Sequence, residues 1–224
     1  TGSVPHASDD NFFEFNERIN FDYKISSNHN FNLNVLFNYA HEQPKDDLAS
    51  KHAGFEVAGF PRKKTSIVSG LTYESKLFSR KLTNMLSAKH YYLNSKIDDL
   101  TSYEISTPPK QKENTASQFG WIEALKYEPF NGFHLKASYQ RAIRLPNSKE
   151  LFGDGIITFP AAGLKPEKSH NFNLGFLIDK NNIFGISRLQ FEVNSFYMQV
   201  SDMIKLIHQH MAAGYVNAEK VNIK

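Results

Sequence analysis

The side chains in this chain whose types and spacing could do chemistry are few. His208-Gln209-His210-Met211 is the one cluster with metal-like donors, two imidazoles and a thioether close together. Such donors suit copper or haem iron. On a strand His208 and His210 would share a face, but a closed coordination sphere needs more ligands, and solvated loop residues are the competing reading. Arg62-Lys63-Lys64 is a cationic triplet that could meet phosphate groups or simply end a solvated loop. The densest set lies between Phe133 and Phe176, where Arg141, Arg144, Glu150, Asp154, Lys165 and Glu167 are interspersed with Pro146, Gly153, Gly155, Gly163 and Pro166. Arg141 and Arg144 are candidates to pair with Glu150, Asp154 or Glu167 and fold a loop back on itself. The prolines fix φ and remove a donor where strands leave or enter a ladder, and the glycines permit sharp bends. The sequence has no nucleophile elbow, phosphate loop, HExxH or paired acids on a helix, so no catalysis is expected. With no cysteine, disulfide and thiol chemistry are excluded.

The elements that must position these residues are read from alternation. From Phe13 to Ile25 the odd positions are apolar except Glu17, and the even ones (Glu14, Asn16, Arg18, Asn20, Asp22, Lys24) are polar. After a turn at 26–29, Phe31, Leu33, Val35, Phe37 and Tyr39 alternate with asparagines, which makes a hairpin. Further strands are expected at 66–76, 82–94 (with no clear facing), 115–127, 133–139, 170–176 and 186–200. A ninth run starts at Tyr215, and residues 1–10 read as a tail. The first run would extend roughly 43 Å at ~3.3 Å per residue, long for a soluble strand and suited to a bilayer-spanning one. Short turns (26–29, 77–81, 128–132, 179–185) alternate with long polar connections (41–64, 95–113, 142–168, 201–214). Long loops argue against a compact soluble domain, and this rim asymmetry is that of an outer-membrane barrel. The fold class expected is all-β, an antiparallel transmembrane β-barrel segment of about eight complete strands and the start of another. A large soluble sheet is the alternative.

Composition bounds the rest. The 224 residues suffice for one large domain, 1–224, and the 13% aromatics, 19 Phe and 10 Tyr against one Trp, favour strands. No stretch approaches the ~18 apolar residues of a membrane helix, while a mean hydropathy of -0.47 is compatible with alternating barrel strands. A net charge of +3 with scattered Lys and Arg is not the footprint of a nucleic-acid binder, so no nucleic-acid partner is expected. The opening TGSVPHASDD lacks the plan of a signal peptide, so either the protein is not exported or the sequence is a piece of something longer. Tyr91, Tyr92, Trp121, Tyr127 and Tyr197 are candidates for interfacial girdles or for core.

The wording of 133–224 resembles the barrel of TonB-dependent outer-membrane receptors, in particular Bacteroidetes-like ones. Tyr139-Gln140-Arg141-Ala142-Ile143-Arg144-Leu145-Pro146 is similar to the family's Y-x-R-x-x-R-[AL]-P, and Glu150-Leu151-Phe152-Gly153 to the ELFG that follows. Leu164-Lys165-Pro166-Glu167 resembles L-K-P-E, Asn171–Gly175 the N-x-x-L-G opening of the next strand, and Asn194–Ile204 the F-Y-x-x-V-x-D-x-I strand end. Tyr215–Lys224 resembles the N-x-x-K-V-x-I run. The resemblance implies an interior fragment, roughly a third, of an about 22-stranded barrel. It also implies short turns facing the periplasm and long loops facing outside. It implies a receptor, not an enzyme, that takes up siderophore-iron, haem, cobalamin or a glycan by active transport, with no resident cofactor. Implied partners are the TonB complex, reached through a plug domain missing here, outer-membrane lipid and lipopolysaccharide, a small nutrient ligand, and a surface lipoprotein. Arg62-Lys63-Lys64 would then lie near lipopolysaccharide phosphates, and the motif residues would shape the loop rather than touch ligand. The alternative is a complete small barrel or a soluble adhesion or sugar-binding sheet.

Overall fold

The computed structural model describes residues 8–47, 60–99, 110–153, 158–183, 185–209 and 212–223. Eight long strands follow one another: β1 (Ser8–Ser26), β2 (His29–Asp46), β3 (Arg62–Leu77), β4 (Leu82–Asp99), β5 (Lys110–Phe130), β6 (Phe133–Arg144), then β8 (Glu167–Ile183) and β9 (Ile186–Ser201). Between β6 and β8 lie a one-turn helix α1 (Ser148–Phe152) and β7 (Thr158–Phe159). After β9 come β10 (Met203–Gln209), β11 (Ala212–Ala218) and β12 (Val221–Ile223). The main sheet has the order β1-β2-β3-β4-β5-β6-β8-β9-β12, antiparallel at every step, and does not close on itself among the described residues. β10, β11 and β7 form a second, small sheet, in which β7 lies parallel to β11.

The expected strands form, and they run further than apolar alternation indicates. β2 continues through His41–Asp46, β4 to Asp99, and β3 and β5 begin at Arg62 and Lys110. Here the ladder goes on with polar residues on both faces, so hydrophobic period no longer marks it. β1 already begins at Ser8, within the expected tail. The 142–168 connection holds α1 and β7. The 201–214 connection is a hairpin of β10 and β11, which leaves the main sheet at Asp202, a residue with φ 56°. The ninth run is split: Tyr215 belongs to β11, and only Val221–Ile223 returns to pair with Met198–Val200.

Register sorts the side chains. Tyr23, Phe31, Tyr73 and Leu86 fall in one row across β1–β4, and Leu125, Ala137, Leu174 and Ser195 in another across β5–β9. This apolar face is exposed: Ile19 is 62%, Phe119 62% and Leu174 66% accessible. The facing of β4 is thereby settled, with Leu86, Ala88, His90 and Tyr92 on the apolar face and Ser87, Leu93, Ser95 and Ile97 on the other. Of the girdle candidates, Tyr92, Trp121, Tyr127 and Tyr197 lie on the apolar face. Tyr91 does not; it points the other way, against Gly120.

The packed core lies on the polar face. Ala40, Leu93 and Ile97 are covered there by Leu151 and Phe152 of α1, by Ala162 and Leu164, and by Ile204 of β10. Ala116, Leu145 and Tyr215 pack at its edge. The connection after β6 thus lies as a strap across the polar face, at the end of the sheet where the long connections are. Phe152, 1% accessible, fills its centre. Phe152→Ala should cost about 3–5 kcal/mol, through lost burial and a residual cavity. Denaturant unfolding of the protein in detergent measures the cost, and a loss under 1 kcal/mol would show that the strap is not packed as described.

Candidate functional site

The strap begins where β6 ends. Asn147 caps α1: its side chain accepts from the Glu150 amide at 2.8 Å, and Glu150 Oε2 accepts from the Asn147 amide at 2.8 Å. This capping box satisfies two amides at the start of a helix too short to hold itself. Arg144 Nη1 donates to both Glu150 oxygens, at 2.9 and 3.0 Å, and Nη2 donates to Glu167 Oε2 at 3.2 Å. Glu167 Oε2 also accepts from the Ile204 amide at 3.0 Å, joining the strap to the β10–β11 hairpin. Gly153 closes α1 at φ 82°, with the Thr158 carbonyl where a Cβ would stand, so no other residue fits.

The motif residues therefore divide. Arg144, Glu150 and Glu167 meet; Pro146, Leu151 and Phe152 of the strap are fully buried. Pro166 is buried, and Lys165 is held through its backbone: its amide donates to Asn217 Oδ1 at 2.8 Å and its carbonyl accepts from Asn217 Nδ2 at 3.0 Å. Arg141 stands apart. Three residues from Arg144 on a strand, it takes the opposite face, between Trp121 and His170, and makes no ion pair among the described residues. Asp154 and Gly155 lie outside the described residues. Gly163 has open space where a Cβ would stand and no positive φ, so the bend there does not require glycine. His208 is exposed on β10; His210 and Met211 lie outside the described residues, and no metal-holding group of three donors occurs among those described.

Sequence reasoning missed what the strap is docked on. Arg62 Nη1 donates to Glu42 Oε2 at 2.8 Å and to the Phe152 carbonyl at 3.0 Å, and its Nε donates to Asp98 Oδ2 at 3.4 Å. All three side chains are buried, and the Phe60 amide also donates to Asp98. Lys64 is buried nearby, its pKa pulled down by burial while Glu14 and Glu150 oppose the shift. Ser148 donates to Glu14, and Asn114 to the Leu164 carbonyl at 3.1 Å. Position parity from Phe37 and Ile67 would have put Glu42 and Arg62 on the polar face, where register pairs them; Asp98 has the parity of the outward-facing Lys96 and meets Arg62 only because the alternation gives way at the end of β4, where Ile97 and Asp98 are both buried. Asn147, at capping-box spacing from Glu150, was legible in the sequence.

At the opposite end of the polar face a recess of about 460 Å³ is lined by Glu128, His134, Asp179, Asn181 and Arg188. Arg188 donates twice to Asp179, at 2.9 and 2.7 Å, while buried His134 Nδ1 has no hydrogen-bond partner among the described residues. The face offers charge, hydrogen bonds and a strap.

Outward-facing residues of β2–β5 at the height of Arg62 are polar (His41, Lys63, Lys96, Glu113), although Phe13 of β1 continues the row, so on these four strands the cluster stands beyond the apolar band. Burial pushes the Glu42 and Asp98 carboxyls above the ordinary range, with Arg62 working against that shift. Arg62→Met should destabilise by about 3–5 kcal/mol, because two carboxylates are left buried without a cation. A carboxyl whose folded pKa is raised binds its proton more readily folded than unfolded, so folding gains as pH falls through that range. The deficit of Arg62→Met should accordingly be largest at neutral pH and shrink on acidification. Unfolding of both proteins in detergent across that range measures it, and a pH-independent deficit would refute the account.

Residues 92–224 match the family described as TonB dependent receptor-like, beta-barrel. No curated protein matches the chain. Among solved structures, the copper transporter OprC superposes with a TM-score of 0.70 at 11% identity, covering 98% of this chain and 35% of that one. The FrpB iron transporter of Neisseria meningitidis gives 0.68 at 16%, covering 94% and 31%. The Serratia marcescens hemophore receptor HasR, in complex with its hemophore HasA and heme, gives 0.61 at 15%, covering 97% and 39%. The chain thus spans about a third of the length of the structures it resembles.

Proposed function

From a chain that belongs to the TonB-dependent receptor-like β-barrel family, an outer-membrane family, we propose a part in active uptake of a scarce nutrient, with this sheet as a sector of the transport barrel's wall. The observation that carries the reading is the division of one sheet into two solvents. Large apolar side chains stand exposed across one face, while charge, amides and the strap occupy the other. A lipid-facing wall with an aqueous lumen has this division, and a soluble adhesion module would have to cover its apolar face. The long-connection end, with the strap and the β10–β11 hairpin, is the outer rim, and the turn end is the periplasmic one.

On this reading the strap residues Arg144, Glu150, Gly153 and Glu167 shape the rim, and Pro146, Leu151, Phe152, Lys165 and Pro166 seat it. Ligand contacts belong to the long connections outside the strap motif, where His208, His210 and Met211 are candidates for a metal or haem ligand. The cargo class is a metal ion, iron chelate or haem, in line with what the printed names of the similar structures state for those proteins. Siderophore-iron falls within that class, and cobalamin and a glycan are the other candidates. The process is binding and gated passage driven through the TonB complex, with no bond made or broken in the cargo.

Two measurements test this. Deleting the protein from its host should abolish uptake of one such nutrient under limitation, and a protonophore should abolish uptake while sparing surface binding. Unchanged uptake of every candidate, or uptake indifferent to the protonophore, refutes transport. The facing is tested separately. Leu174→Arg, on the apolar face, should destabilise the protein in lipid by about 2–4 kcal/mol. Asn173→Arg, one residue away on the polar face, should cost well under half of that. Equal costs would refute the two-solvent wall.

A further inference from the structure

Glu123 stands where an apolar wall has least use for a carboxyl. On β5 it shares the outward face with Phe119, Trp121, Leu125 and Tyr127, at the middle of that run. Phe119 and Tyr127 are each about 13 Å away along the strand. Ionisable side chains at such depth are costly, and they pair or mark a functional site. Asn84 of β4, outward-facing beside Leu86, donates from Nδ2 to Glu123 Oε1. Each group is then only half used. The carboxyl keeps its second oxygen and the amide its second N–H, neither with a partner among the described residues. Acyl chains satisfy neither. Glu17 on β1 is the other acid in the outward apolar rows, and its neighbours are Phe15, Ile19 and Phe37 rather than an amide.

The surface on either side of this pair is uneven. Toward β9 a recess of about 480 Å³ is lined by the small Ala137 and Ser195, with Leu174, Tyr139, Phe172 and Tyr197 around them. Toward β1, Leu86 and Leu71 stand 45% and 50% accessible. Leu86 is in the register row of Glu123 and Ala137 in the adjacent row, so ridge and hollow are level to within one residue pair. A two-fold axis along the membrane normal keeps depth and exchanges the two sides. We propose that the outward face about Asn84 and Glu123 is a two-fold interface, within the membrane, with a second copy of this chain. Each carboxyl's free oxygen then accepts from the other copy's free amide N–H, in an apolar medium where such bonds hold walls together. Leu86 and Leu71 of each copy lie toward Ala137 of the other, the self-complementarity that an isologous contact requires. The inference rests on the reading that this face lies in lipid.

The full-length protein, extracted in mild detergent and weighed by native mass spectrometry, should be a dimer. Asn84→Leu with Glu123→Leu should weaken dimerisation about thirtyfold. Its unfolding in detergent should stay at least as resistant as the parent's, which separates a lost contact from a lost fold. Ala137→Trp, which fills the hollow, should give monomers, and Phe21→Trp on the outward face of β1 should leave the dimer unchanged. The chain has no cysteine. Leu86→Cys with Ala137→Cys, two strands apart within one copy, should therefore form a disulfide-linked dimer in the native membrane. The interface is overturned if the parent is monomeric, whether bare or with a lipid or a protein of other sequence held on this face. It is equally overturned if the double Leu variant or Ala137→Trp dimerises like the parent, or if no cross-link forms. A parent protein that stays monodisperse without detergent would instead overturn the lipid-facing reading beneath it.

Discussion

A long antiparallel ladder with two-residue alternation, its register shifts confined to the turn end at Lys24–Ser26 and Tyr127–Phe130, is the constraint on which everything else in this molecule depends. β4 and β5 stay in register from Leu82 opposite Tyr127 to Asp99 opposite Lys110. A slip of one position anywhere would send a row of aromatics to the polar face and a row of asparagines and lysines to the apolar one. The ladder also satisfies the backbone groups that lipid cannot. Gly175 serves the same continuity: Asn194 and the Val193 carbonyl occupy the place its Cβ would take, so the β8–β9 approach needs a residue without one.

The ladder cannot by itself stabilise its polar face, because asparagines and serines there pack little. The strap does that. It brings Leu151, Phe152 and Leu164 down onto Ala40, Leu93 and Ile97, a small hydrophobic core placed where the strands are otherwise most polar. Around it Arg62 lies between two carboxyls and the Phe152 carbonyl. Removing Arg62 would leave two buried carboxyls without their cation, so the cluster fixes where the strap sits more than it adds net stability.

How much of this was legible in the sequence follows from what alternation can carry. Strands flanked by lipid on one side and water on the other write a period of two, so β1, β2, β5 and β8 were readable from Phe, Leu and Tyr at every second position. Beyond the apolar band the outward face is mostly polar and the inward face meets the strap partly through charge, so the period vanishes, and His41–Asp46 and Lys110–Asn114 read as loop although the ladder continues. The Arg144–Glu150–Glu167 contacts were within reach because all three lie in one stretch of chain. The Arg62–Glu42–Asp98 cluster was not, since it joins three strands: register pairs Glu42 with Arg62, and Asp98 joins them against the parity of its own strand, which no single stretch encodes. Arg141 illustrates the opposite error: a motif residue grouped with Arg144 by wording, yet three positions away on a strand and hence on the other face.

Glu167 shows why the rim behaves as one piece. It opens β8, so the main sheet fixes its backbone. One of its oxygens receives both Arg144, from the end of β6, and the Ile204 amide, from the start of β10. A few residues away, Asn217 holds the Lys165 backbone from both sides and donates to the Asp202 carbonyl at 2.7 Å, tying β11 to the same corner. The strap and the hairpin therefore share anchors rather than standing as separate loops. Tilting the hairpin would pull on the carboxylate that Arg144 needs, and unseating α1 would release the arginine that steadies it.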